Sequence, residues 1–374
     1  MTVPCSLRAL AGLGLAFAVA CSDSAGPGTL TNPLATSAAL SSVDSAFAAP
    51  AVASFGALGA FIAPTAALSR AATVVDATRP RPIDPATPPE VAAARHLAAL
   101  RGLVPASPAN PQGPLIPDTL YGSIFTWDEA STSYVRSQTS GGPANGVRFI
   151  LYAINPLTGL PSAPLTEVGQ ADLLDESAGQ VVELRILVQG VGGTPTYLDY
   201  DATLTFGAGT VTATVNGLIT NGLAPGANKT LTFDVTATLS FTSATVDATF
   251  TLNNPSISIV LDASVTRSGQ TETVTVSFTF TRPGETVRLQ GTSQTTAGAL
   301  DTLSAEIRVN GQVYATLEGN AQGVTFFDAN GDVIQDAGAQ HDILVALDHL
   351  REAVEDTLEF IEDLFDPIEN LLPG

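Results

Sequence analysis

The chain is poor in cysteine, lysine, charge and aromatic rings. Of its 374 residues two are cysteine, Cys5 and Cys21, and one is lysine, Lys229. So few thiols exclude a disulfide-stapled scaffold, and stability must come from apolar burial. Charged residues make up 14% of the chain, and acids outnumber bases 36 to 15, a formal charge of −21. That field repels nucleic acid and anionic headgroups, so a polyanion-binding role fits poorly and no nucleic-acid partner is expected. Aromatic content is 6% against 45% apolar residues. A core is available, but it must be built from Val, Ile, Leu and Ala. Three histidines are a thin supply for metal or acid–base chemistry. No Gly-x-Ser-x-Gly elbow or phosphate-loop spacing appears, and Gly141-Gly142 and Gly192-Gly193 read as turns. The expectation is a protein that is not an enzyme, with no cofactor and no metal.

No apolar run is long enough to span a bilayer as a helix. The longest, Ala9–Ala20, follows the basic start ending at Arg8 and would extend roughly 18 Å as a helix, against about 30 Å of hydrocarbon. A basic start, a short apolar run and small residues before a cut are the layout of an export signal. Cleavage would remove Arg8 and with it one positive charge, taking −21 to −22. An ordinary signal peptidase site after Ala20 fits these residues.

The sequence Ala18-Val19-Ala20-Cys21 also resembles the lipobox of bacterial lipoproteins, with Ala18 where that family usually has Leu. The resemblance covers the first two dozen residues only. It implies cleavage before Cys21, a thioether-linked diacylglycerol on Cys21 and further acylation such as palmitate. Cysteine scarcity agrees with it: Cys5 leaves with the signal, and a lone exported thiol makes sense when it is chemically consumed. Several acyl chains anchor stably where one is marginal. Ser22, by analogy with enterobacterial lipoproteins, favours the outer membrane over the inner. The expected location is therefore the cell envelope, anchored by lipid.

Behind the signal (1–20), residues 21–40 read as a flexible tether of Ser, Ala, Gly, Pro and Thr. Residues 41–117 read as an Ala/Pro-rich helical segment with linkers. Val43, Phe47, Val52, Phe55, Leu58 and Phe61 recur at helical steps, with Pro50 suited to a first turn. Thr87 is placed as the N-cap of another helix, with Pro88 first, Glu90 at the capping-box position and Gly102 at its end.

From residue 118 to 338 the period becomes two. Leu231, Phe233, Val235, Ala237, Leu239 and Phe241 alternate with Thr230, Thr232, Asp234, Thr236, Thr238 and Ser240. Val274, Val276, Phe278 and Phe280 do the same against Thr273, Thr275, Ser277, Thr279 and Thr281. One apolar and one Thr-rich face marks half-buried antiparallel strands. Asn253-Asn254-Pro255, Ser268-Gly269 and Pro283-Gly284 read as turns, and Asn310-Gly311 as a two-residue hairpin loop. Roughly ten to thirteen strands are expected, too many for one flat sheet, so they curl into a half-barrel or stack in two layers. Residues 339–374 return to a helical period: Ile343, Leu347, Leu350, Val354, Leu358, Ile361 and Phe365 form a stripe beside ten carboxylates and Arg351. The predicted fold is mainly β, a large antiparallel sheet packed with amphipathic helices at both ends.

Asp328-Ala329-Asn330-Gly331-Asp332 superficially suggests a calcium loop, but Val333 and Ala339 stand where an EF-hand needs Gly and Glu, so it reads as a hairpin turn. His349 with Glu352 and Glu355 lacks a second histidine at helical spacing and reads as a solvated face. Trp127, Phe149, Tyr152 and Tyr197, together with Tyr121, Phe125, Tyr134 and Tyr200, concentrate rings in the early strands. The first four are the candidates for a ligand-facing surface, with core packing as the alternative. Two functions stay open: a carrier of a hydrophobic ligand or lipid, similar at fold level to periplasmic lipid and lipoprotein carriers, or a structural or protein-interaction module of the envelope. A transmembrane barrel is disfavoured by the low aromatic content and the helical carboxyl end.

Overall fold

A computed structural model describes residues 49–58 and 114–334, apart from single positions 156, 162, 180, 225 and 298. One sheet dominates it. Fifteen strands run from β1 (Ser123–Asp128) and β2 (Ser133–Ser140) through β3 (Gly146–Tyr152), β4 (Glu167–Asp175), β5 (Val181–Gln189), β6 (Thr196–Phe206), β7 (Thr210–Thr220), β8 (Thr230–Ser240) and β9 (Ser243–Leu252). They continue through β10 (Ile257–Ser268), β11 (Thr271–Arg282), β12 (Glu285–Thr296), β13 (Ala299–Val309), β14 (Gln312–Asn320) and β15 (Gly323–Asp328). The spatial order is β15 down to β3 without interruption, then β1, then β2. The sheet is open: its two outermost strands, β2 and β15, do not pair with each other.

Fifteen strands exceed the expected ten to thirteen. The difference lies in strands whose alternation is weak. In Ser133–Ser140 only Tyr134 is buried, and in Gly323–Asp328 no residue is, so neither shows the apolar period that betrays a strand. The long strands follow the period closely: β5 alternates half-buried and buried residues from end to end. Consecutive hairpins keep contacts local, so each strand finds its neighbour through a short turn. The Asn310-Gly311 turn is as expected, joining β13 to β14, with both residues at positive φ.

All pairs are antiparallel except β1 with β3, which run parallel over three residues, Ser123 to Phe125 against Val147 to Phe149. The chain passes from β1 outward to β2 and returns beyond β1 to form β3. Gly122 closes this corner, its backbone N–H donating to the carbonyls of Pro143 and Gly146.

The apolar face forms a single cluster reaching from β1 to β14. The opposite face carries hydroxyls in register. Thr205, Thr212, Thr238, Thr245, Ser264, Thr275, Thr292 and Ser304 are successive cross-strand partners across eight strands, β6 to β13. Threonine suits such a face because its branched Cβ packs along the pleat while its hydroxyl meets water.

Of the helices expected at the two ends of the sheet, one falls within the described residues. Among the described residues the α-helix is α1 (Pro50–Leu58), accompanied by two 3₁₀ turns at Asp118–Leu120 and Val191–Gly193. α1 has the sequence PAVASFGAL, without one charged residue, so it is apolar rather than two-faced. Pro50 opens it, as its fixed φ and missing N–H allow. Ala51, Val52, Ser54 and Leu58 are buried, and α1 packs on β3, β4, β5 and β6. Its approach is close: a Cβ at Gly169 on β4 would collide with the Gln189 carbonyl and press on Ala51. The segments expected as helices around Thr87–Gly102 and His341–Leu372 lie outside the described residues. None of the described helices is long and apolar enough to cross a membrane.

Candidate functional site

The β1–β3 corner gathers the rings that the sequence singled out. Phe125 and Phe149 stack at 4.9 Å, and Tyr134 meets both Phe149 and Trp127 edge-to-face at 5.5 and 5.6 Å. Trp127 and Phe149 are buried, whereas Tyr152 and Tyr197 are half-buried against the same core. Both tyrosines sit where strand register slips. Val168 is the extra residue opposite Leu151 and Tyr152, and Tyr197 is itself the extra residue opposite Val188 and Gln189. A bulge re-aims the side chains beside it, which sequence spacing alone does not reveal. Tyr121 precedes β1 rather than lying on it, and Tyr200 packs edge-to-face on Phe233 at 6.0 Å. Burial pushes the Tyr134 phenol well above its usual range; Tyr152 adds to that rise and the Ser54 hydroxyl on α1 opposes it. Ser54 nonetheless misses hydrogen-bond geometry, and with Ser123 it is one of two buried hydroxyls without a partner among the described residues.

Beside this corner Asp175 ties the segment leading into the sheet to the end of β4. Its carboxylate accepts from the Ile116 backbone N–H at 3.0 Å, the Ser177 N–H at 3.1 Å and the Tyr121 hydroxyl at 3.4 Å. A cavity of about 390 Å³ opens here, lined by Asp118, Tyr121, Asp175 and Ser177 among others. Burial raises the Tyr121 phenol above its ordinary value, and the neighbouring Asp175 and Asp118 raise it further. With three bonds already made, Asp175 works as a latch.

The outward face of β3–β6 carries two sets of ion pairs. Arg148 reaches across to its directly opposite partner Asp172 with two bonds, 2.6 and 2.7 Å, and Asp172 is buried beneath it. Arg185 clasps Asp199 at 2.9 and 3.0 Å and approaches Asp201 at 4.0 Å. Carboxylate oxygens of Glu176, Glu183 and Asp201 lie within 4.8 Å of one another. Burial raises the Glu183 carboxyl, as do Asp201 and then Glu176. Burial also raises Asp201, with Arg185 working against it. Three oxygens at this separation suit a hard cation or a shared proton. Sequence reading missed this trio because its members come from a turn and two strands. Neither the spacing nor the alternation of the residues links them.

Asp328 behaves as the turn reading expects. Its carboxylate accepts from the backbone N–H groups of Asn330 and Asp332, and Phe327 bridges Val333 across the turn. Cys21 and the His349, Glu352 and Glu355 group lie outside the described residues. No family model matches the chain, and it has no significant similarity to a curated protein or to a solved structure.

Proposed function

We propose that this chain is a lipid-anchored, non-enzymatic protein of the bacterial cell envelope whose β body serves as a structural or protein-interaction module. Cys21 holds the acyl chains, the residues after it form the tether, and Ser22 directs the anchor to the outer membrane. The observation that carries the module reading is the filling of the apolar face. Leu184, Ile186, Val188, Val215, Val235, Leu261, Val276 and Phe278 all have 0% of their surface accessible. A void wide enough for an acyl chain would leave accessible surface on its lining, and these side chains have none. The outward positions of the sheet speak against a barrel embedded in lipid, since they carry Thr, Ser and carboxylates where a lipid-facing band needs apolar side chains.

The carrier reading keeps one supporting feature. Phe149 and Tyr152 on β3 and Tyr197 on β6 lie on strands that α1 packs against, and displacement of that short apolar helix would uncover part of the sheet. Lipid analysis of gently extracted protein separates the two: stoichiometric co-purifying lipid favours the carrier, and its absence the module. The anchor is tested by Cys21→Ser, which should abolish incorporation of a fatty-acid label and release the protein from membranes. Retained label and unchanged membrane attachment would sink the lipoprotein reading.

A further inference from the structure

Antiparallel pairing brings alternate turns of the sheet to the same end, so the β3–β4, β5–β6 and β7–β8 loops stand side by side there. Each raises an exposed aliphatic side chain: Leu157 keeps 93% of its surface in water, Val191 56% and Leu223 58%. They are half of the six large apolar residues exposed among the described residues. A lone exposed leucine means little, but several on neighbouring loops form a patch. The loops are braced against one another. Pro195 and the Tyr197 ring crowd Gly222 of the β7–β8 loop, where a Cβ would come within 2.3 Å of that ring. Asn254, in the β9–β10 turn at the same end, donates to the Gly226 carbonyl at 3.3 Å. Loops held in this way on a rigid sheet present their side chains in a fixed arrangement.

Charge is missing from the same place. In a chain at −21, residues 153–166 and 190–195 hold no charged side chain, and residues 221–229 hold only Lys229, the single lysine. The nearest acids at this end, Glu129 at the β1–β2 turn and Glu167 at the start of β4, flank the loops. Asp118, Asp175 and Glu176 lie at the opposite end, around the β4–β5 turn. The first turn of α1 also lies at the loop end: Ala51 packs on Gly169, near the start of β4, and the chain before it leads back to Cys21. We infer that these three loops are a second membrane contact, in which Leu157, Val191 and Leu223 enter the headgroup boundary of a lipid bilayer. Separate apolar tips suit a deformable apolar phase, whereas a folded protein would need a matching hollow for each. The inference rests on the lipid-anchor reading for which membrane is met. It adds an orientation, with the strands end-on to the bilayer and the acidic turn pointing away. A contact of this size is marginal alone, and an anchor makes it persistent by keeping it close.

The test uses the exported chain carrying Cys21→Ser, so that acyl chains play no part and no native thiol remains. Leu157→Cys, Val191→Cys and Leu223→Cys each receive an environment-sensitive dye. Phe241→Cys is the control, because Phe241 is 62% exposed in the β8–β9 turn at the opposite end. In buffer all four dyes should be quenched by iodide. With neutral phosphatidylcholine vesicles, the three loop dyes should shift to the blue and be quenched by a nitroxide on the lipid chains, and the control should not. Without dye, replacing Leu157, Val191 and Leu223 together by Ser should lower vesicle partitioning about tenfold or more, with an unchanged far-ultraviolet β spectrum. Loop dyes shielded from iodide before lipid is added would mean that the chain itself covers the loops, and would overturn the proposal. So would loop dyes that lipid never quenches, a control quenched as strongly, or a triple variant that partitions like the parent. None of these readings involves acylation, so failure here leaves the Cys21 anchor standing, and failure of the anchor leaves the vesicle result standing.

Discussion

Replacing Asp172 with alanine leaves the Arg148 guanidinium facing a hole on the outward side of β3 and β4. In the native fold the pair is bidentate at 2.6 and 2.7 Å, and the side chains retain 7% (Asp172) and 25% (Arg148) of their exposure. Removing one partner of a fully buried pair costs about 3–5 kcal/mol, chiefly by stranding the other charge. Arg148 keeps some contact with water, so the expected loss is nearer 2–4 kcal/mol. For a domain of this size that corresponds to a fall of roughly 5–12 °C in Tm. The pair itself is worth far less than its half-removal suggests, because both charges gave up hydration to form it. A double substitution, Arg148→Met with Asp172→Leu, should therefore lie within about 1 kcal/mol of the parent. Denaturant unfolding followed by circular dichroism, applied to both singles and the double, measures the coupling. The reasoning is refuted if Asp172→Ala costs under about 1 kcal/mol, or if the double loses the sum of the two single losses.

Two further expectations follow from the same region. Glu183 has its carboxyl raised in the fold, by burial first and then by Asp201 and Glu176. A raised carboxyl favours folding below the ordinary carboxylate range, and that contribution is lost as pH climbs through the folded value. Glu183→Gln should thus gain a few tenths of a kcal/mol at neutral pH and nothing near pH 3, and equal effects at both would contradict the cause given. Asp175→Ala removes the acceptor of the buried Ile116 N–H, an expected cost of about 1–3 kcal/mol, and should expose residues 114–121 to limited proteolysis. Unchanged cleavage there would show that Asp175 does not hold the segment.

Much of the architecture was written in local chemistry. Alternation of Val, Ile and Phe with Thr specifies the pleat and which face is buried, because a strand has only two sides. Asn310-Gly311 sets its own hairpin because both turn residues must take positive φ, and Asp328 closes its turn through its own carboxylate. At the amino terminus, the proposed anchor at Cys21 rests on sequence alone, on the layout of residues 1–20 and the scarcity of cysteine. Tertiary structure decided what has no local period. It showed that the polar Ser133–Ser140 is a strand and an edge, and that β1 lies parallel to β3. Register shifts beside Tyr152 and Tyr197 appear only once neighbouring strands are paired. The carboxylates of Glu176, Glu183 and Asp201 were brought together from a turn and two strands. Register across neighbouring strands is a property of pairs, so a single chain read residue by residue carries each row of hydroxyls only in pieces. The sheet assembles those pieces.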